Sequence, residues 1–328
     1  MVRSRNACVA LTMLWGALLV AACVPVAPVV RDGAGNSLPL LNEAIHSVNE
    51  VARSGVFDDP IDSTPAPDGS IIYFTATSPS GEGVFSVPST GGEPALLHAG
   101  APMLAARGIA VSGDGQTLFV ADPNARRVWM LPAGGGMPQP VPGTDDIAAV
   151  GVEIRPAPTG DELYVTGERD GLPGVWRVVS GEEPAPSYVG APLVAPMGVA
   201  IAGDGTLYVV DHDGFAPGRA AVMRIAEGVA TPIAENFRAG HQAGAALTID
   251  DALLVVSALD IDREQAQVLL INLDTLDRGV VTKVVAANPG SGGVHRAHEM
   301  NRFSWADYRG PGRGGSSQQP GHVYVVDP

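Results

Sequence analysis

The heptapeptide HRAHEMN, His295 to Asn301, holds the densest group of chemically capable side chains in the sequence. Imidazoles at His295 and His298 and the carboxylate of Glu299 are residue types that ligate metals or move protons near neutral pH. His241 stands one repeat earlier. Glu153 lies in a stretch, GVEIR, whose counterparts carry Ala110, Ala200 and Ala246 at its place. A carboxylate where alanine otherwise recurs can hold a metal or act as a base. The alternative is a carboxylate paired with Arg107 or Arg296, or simply solvated. Glu153, His295, His298 and Glu299 are thus the metal candidates, with one restriction. A spacing of three puts His295 and His298 on opposite faces of a strand, so they converge only in a turn or a helix. No Gly-x-Ser-x-Gly elbow, phosphate-cradling glycine loop, His-Glu-x-x-His or Cys-x-x-Cys occurs, which excludes several enzyme classes.

The elements that must position these residues are written as a repeat. GIAVSGDGQTLFVAD (Gly108 to Asp122) returns as GVAIAGDGTLYVVD (Gly198 to Asp211), and looser copies surround both. Their second strands begin at Ile71, Thr117, Glu162, Thr206 and Ala252, spaced 44 to 46 residues apart, and RFSWAD at Arg302 supplies a sixth. Each copy is followed by another apolar stretch, such as RVWMLP at Arg127 or HVYVVD at His322. Short strands of alternating polarity joined by Asp-Gly turns, four to a repeat, cannot bury both faces alone. Repeats of ~40 to 50 residues with four strands build propeller blades.

The fold class expected is therefore all-β, a six-bladed β-propeller with four-stranded blades. The sixth copy reaches the end of the sequence after its third strand. A strand from Ser37 to Ala52 is expected to close the ring, with an extended piece near Leu38 to Leu41. A short helix competes over the same segment, because Leu41, Ile45, Val48 and Ala52 fall at helical spacing.

The quoted stretches resemble the NHL-repeat and regucalcin/gluconolactonase-like six-bladed propellers, and STPAPDGSIIYFTA is similar to the repeats of TolB-type propellers. The resemblance covers about residues 57 to 328. It implies functional residues scattered singly over the blades around a central channel. In the gluconolactonase-like group it implies a divalent cation, such as Ca²⁺, held by a Glu, an Asn and an Asp. Here Glu153 is available, but the innermost strands offer no clear Asn. At the start of each innermost strand stand Asp62, Arg107, Glu153, Met197, His241 with Gln242, and His295 with Arg296. Asp62, Arg107, Glu153, His241, His295 and Arg296 are the candidate channel or ligand site. Asp122, Asp211 and Asp307, which recur at the ends of second strands, are expected to cap turns.

The first residues lie outside this pattern. Arg3 and Arg5 precede an apolar run from Ala7 to Ala22, which ends in VAAC. The run is short for a membrane span and reads as an export signal. VAAC resembles the lipobox of bacterial lipoproteins, with Cys23 as the lipid attachment site; the alternative is an ordinary signal peptide with a chance cysteine. The expected organisation is a signal peptide over 1–22, a tether over 23–36 and the propeller over 37–328. The formal charge of −15 argues against nucleic acid as a partner. These readings converge on a monomeric lipoprotein of the bacterial cell envelope, held extracytoplasmically at the membrane by its lipid. Its propeller would bind or scaffold another envelope protein or a small ligand. The alternative is a metal-dependent, channel-site hydrolase of the lactonase type.

Overall fold

The computed structural model describes residues 30–31, 37–38, 47–157, 160–240, 242–260, 265–281, 292–307 and 321–327. Among them there is no helix. Apart from a small hairpin pairing Val30–Arg31 with Ser37–Leu38, every strand belongs to one of six four-stranded antiparallel sheets. The innermost strands of blades 1 to 6 are Asp58–Pro65, Ile109–Val111, Ala148–Arg155, Pro196–Ile201, Ala245–Leu247 and Val294–Arg296. Each packs against the innermost strand of the next blade, and the sixth packs against the first. The ring is closed. The Asp-Gly turns after these strands form because Gly115 and Gly205 adopt φ of 73° and 89°, a region that glycine enters without steric cost.

The core is divided by seam rather than gathered at one centre. Six apolar clusters lie among the described residues, one at each junction between blades. Between blades 2 and 3, for example, Phe119 and Val128 meet Leu163 and Trp176. The middle strands bury both faces, as in Leu118 to Asp122, so a blade is stable only when stacked. Burying each large apolar side chain contributes about 1.5–3 kcal/mol.

Closure uses the expected segment, but a different part of it. Ser47–Arg53 forms the outer strand of blade 6, antiparallel to His322–Asp327, with Ser47 opposite Asp327 and Arg53 opposite His322. Leu38 is extended but pairs with Val30 and not with blade 6, and residues 39–46 lie outside the described residues. The helical reading fails at Val48 and Ala52. Val48 packs toward blade 5, whereas Val51 and Ala52 pack toward Phe74 and Phe85 of blade 1. A strand presents side chains to both seams; a helix would present them to one.

Two kinds of blade alternate around the ring. In blades 1, 3 and 5 the second strand carries a hydroxyl, Thr75, Thr166 or Ser257. It accepts the N–H of its own innermost strand (Asp62, Gly151 or Gly244) and donates to a carbonyl of the next blade, Arg107, Met197 or Gly292. In blades 2, 4 and 6 the corresponding residues are Ala121, Val210 and Ala306. There the backbone reaches the next blade directly, from Gly108 N–H to Val150 O, Gly198 N–H to Ala243 O and Gly293 N–H to Ile61 O. Six hydrogen bonds thus encircle the channel, one per junction.

Candidate functional site

The channel wall is built on glycine because the blades converge there. A Cβ on Gly108 would sit 2.8 Å from the Gly151 Cα, and one on Gly198 would sit 2.5 Å from the Gly244 Cα. Gly108, Gly151, Gly198, Gly244 and Gly293 hold this position in blades 2 to 6, and blade 1 alone departs, with Asp62. Its carboxylate fills the space a Cβ on Gly293 would need. Two residues further along each strand the wall presents Thr64, Ala110, Glu153, Ala200, Ala246 and His295. Aligning the blades on the glycine therefore puts Glu153 and His295 at equivalent positions, with Asp62 one step away.

These three side chains meet. His295 Nδ1 lies 2.8 Å from Glu153 Oε2, and His295 Nε2 lies 3.1 Å from Asp62 Oδ2. All three are largely buried, His295 at 7% side-chain exposure. The remaining contacts of the carboxylates are with donors: Asp62 accepts the Ser63 and Ile109 N–H groups, and Glu153 accepts the Ile154 N–H. Burial disfavours a charge on His295, but the two carboxylates outweigh it and hold the imidazolium well above the ordinary histidine range. Burial likewise pushes Glu153 up, and the imidazolium with the Ile154 N–H more than reverses this, leaving it below the usual carboxylate range.

The other candidates are directed elsewhere. The Arg107 carbonyl accepts the Thr75 hydroxyl, and its guanidinium charge acts on Glu82. Arg296 curls onto its own turn and donates to the carbonyls of Ala297, His298 and Met300. Burial lowers its pKa, against the opposing charges of Glu153 and Asp251. The expected pairing of Glu153 with an arginine is thus replaced by one with His295, which only the closed ring brings within reach. His298 Nε2 faces the Val111 carbonyl at 3.0 Å, and Glu299 is exposed with its N–H bonded to Pro67 O. His241 lies outside the described residues; its neighbour Gln242 is buried beside His295.

The donor set does not fit the divalent cation that the resemblance implies. Glu153 and Asp62 each face a nitrogen of one imidazole, the other wall positions are Ala or Thr, and no Asn is on the innermost strands. Among the described residues no three His, Cys, Asp or Glu side chains are arranged to hold a metal.

The channel is also narrow. A cavity of about 60 Å³ lies beside Glu153, Asp251, Arg296 and His298, and one of about 10 Å³ lies at the level of the glycine ring beside Asp62, Gln242 and His295. Asp122 and Asp211 cap turns as expected, at Ala125 and Asp213, while the residues that follow Asp307 lie outside the described residues. They also hold the connection ahead of the blade: Asp122 accepts the Leu104 and Ala105 N–H groups, and Asp211 those of Val194 and Ala195.

No protein-family model matches the chain, and no curated protein does. Solved structures do. The chain is similar to a proposed gluconolactonase at 14% identity over 87% of this chain and 94% of that one, with a TM-score of 0.60. It is similar to the PQQ-bound aldose sugar dehydrogenase of Streptomyces coelicolor at 15% identity over 86% and 98%, with a TM-score of 0.61. A chain of a nidogen/laminin complex aligns at 16% identity over 74% and 87%, with a TM-score of 0.55. The fold is a six-bladed β-propeller. At such identities the likeness carries the architecture alone, and architecture of this kind hosts unrelated functions.

Proposed function

We propose that the chain is a bacterial envelope lipoprotein, acylated on Cys23, whose propeller is a binding or scaffolding module that works through its surface. One observation carries the reading: Asp62, Glu153 and His295 are engaged with one another, and the chambers beside them are far below the several hundred Å³ of a typical ligand pocket. A recess of about 610 Å³ lies instead at the seam of blades 3 and 4, lined by Tyr164, Ser187, Asp204, Arg224 and Val229. The structural neighbours include a protein complex as well as a dehydrogenase, so the architecture is compatible with binding. The VAAC leader supports an extracytoplasmic, membrane-tethered site.

The test has two arms. Labelling with palmitate in a bacterial host is expected to mark the chain and to fail in Cys23→Ser, which should then leave the membrane fraction. A photoreactive residue at Val229, 60% exposed at the recess, is expected to cross-link a partner that one at Leu172 does not. Calcium-dependent lactone hydrolysis that disappears in Glu153→Gln would replace the binding module with a hydrolase.

A further inference from the structure

The two ring nitrogens of His295 point at carboxylate oxygens from blades 3 and 1, at 2.8 and 3.1 Å. An ionised carboxylate only accepts hydrogen bonds, and a neutral imidazole has a single N–H to give. A neutral ring would turn a lone pair onto one of the two carboxylates, in a site from which water is nearly excluded. The backbone N–H donors at Ser63, Ile109 and Ile154 favour the ionised form of both carboxylates. With both ionised, only the doubly protonated ring satisfies both contacts. The other charged or titratable groups around the bridge are Arg296 and His298 on the same segment and Asp251 from the turn of blade 5.

The position is as informative as the chemistry. The bridge stands between the chamber at the glycine ring and the chamber further along the strands. It also joins blade 6, the blade in which Ser47–Arg53 pairs with His322–Asp327, to blade 1 and both to blade 3. We propose that the His295 imidazolium is the resident cation of the channel, tying blades 1, 3 and 6 across the axis and sealing the passage between the two chambers. The protein thereby supplies from its own chain the positive charge that a paired-carboxylate channel requires.

Chemical rescue tests this directly. In the purified chain, His295→Ala leaves two facing carboxylates and an imidazole-sized gap, and its melting temperature is expected to fall by about 5–15 °C. Millimolar imidazole at about pH 6, where it is largely cationic, should restore a good part of the loss. The same addition at about pH 9 should not, and wild type should respond at neither pH. No rescue at the lower pH, or equal rescue at both, would overturn the proposal. If the variant does not fold, nitrogen NMR of wild type decides the matter. Two protonated ring nitrogens on His295 at neutral pH are expected, and the spectrum of a neutral ring overturns the proposal. Addition of EDTA is expected to leave the wild-type melting temperature in place; a drop matching that of His295→Ala would show that a metal is the resident cation.

Discussion

Blades 2, 4 and 5 meet the channel with glycine and alanine, Gly108 and Ala110, Gly198 and Ala200, Gly244 and Ala246, while blades 1, 3 and 6 bring Asp62, Glu153 and His295 to the same wall. The backbone hardly distinguishes the two sets, since the ring of interblade hydrogen bonds runs through both. Architecture is therefore carried by the bare blades and individuality by the polar ones. Buried charges are tolerated there because each neutralises another: an isolated ion in this setting costs several kcal/mol, and a satisfied set does not.

Removing one member of the polar set is expected to have the largest effect. His295→Ala leaves two carboxylates buried face to face, and unfolding in denaturant should show a loss of about 3–5 kcal/mol. The bare set breaks by addition. Gly198→Ala puts a methyl group against the Gly244 backbone, where no flexible side chain can yield, and a loss of about 3 kcal/mol is expected from the same measurement. The hydroxyl relays come next. Thr166→Val strands the buried Gly151 N–H and the Met197 carbonyl, which should cost about 1–3 kcal/mol. Ala121→Ser, at the corresponding place in a blade that bonds directly, should gain nothing of that size.

Much of this architecture is legible in the sequence, and the reasons are local. The Asp-Gly turns, the alternating strands and the 44-to-46-residue spacing all act over a few neighbours, so they identify blades and count them. The alternation of blade types is legible too, in the endings TA, TG and SA against AD, VD and AD, at Thr75, Thr166, Ser257 and Asp122, Asp211, Asp307. Convergence of the site is not local. His295 lies 142 residues from Glu153 and 233 from Asp62, and only ring closure makes blade 6 the neighbour of blade 1. The starts of the innermost strands offer Asp62, Glu153 and His295 together with Arg107 and Arg296. The glycine register separates the two groups, because it asks which residues occupy wall positions. The closing strand falls at the later end of the expected segment for a related reason. Leu38 to Leu41 is the more apolar stretch, but the outer strand of blade 6 faces the seams with both blade 5 and blade 1, and Ser47–Arg53 provides side chains for both.

The charge on the bridge makes its contribution depend on pH, and the signs follow from the two shifts. His295 is raised on folding, so its share is complete below about 6.5, the unfolded value, and is lost as pH climbs through the folded one. Glu153 is lowered, so its share is complete above about 4.3 and is lost as pH falls through its folded value. The stability difference between wild type and a variant without the bridge should therefore peak between about pH 4.3 and 6.5 and shrink on both sides.

The smallest effect is expected from the largest change. Asp62→Gly, Glu153→Ala and His295→Ala together give blades 3 and 6 the wall of blades 2, 4 and 5, and blade 1 the same wall but for Thr64, removing every buried charge of the bridge at once. No carboxylate or imidazolium is left without a partner, the desolvation cost disappears with the attraction that offset it, and water enters the widened channel. Replacing a complete buried ionic set is often neutral, whereas deleting one member is not. The triple variant should therefore unfold within about 1–2 kcal/mol of wild type, above His295→Ala alone, and without the pH maximum. A triple variant as unstable as the single one would mean that the bridge is a net source of stability, and that the bare wall is sufficient only in the blades that already have it.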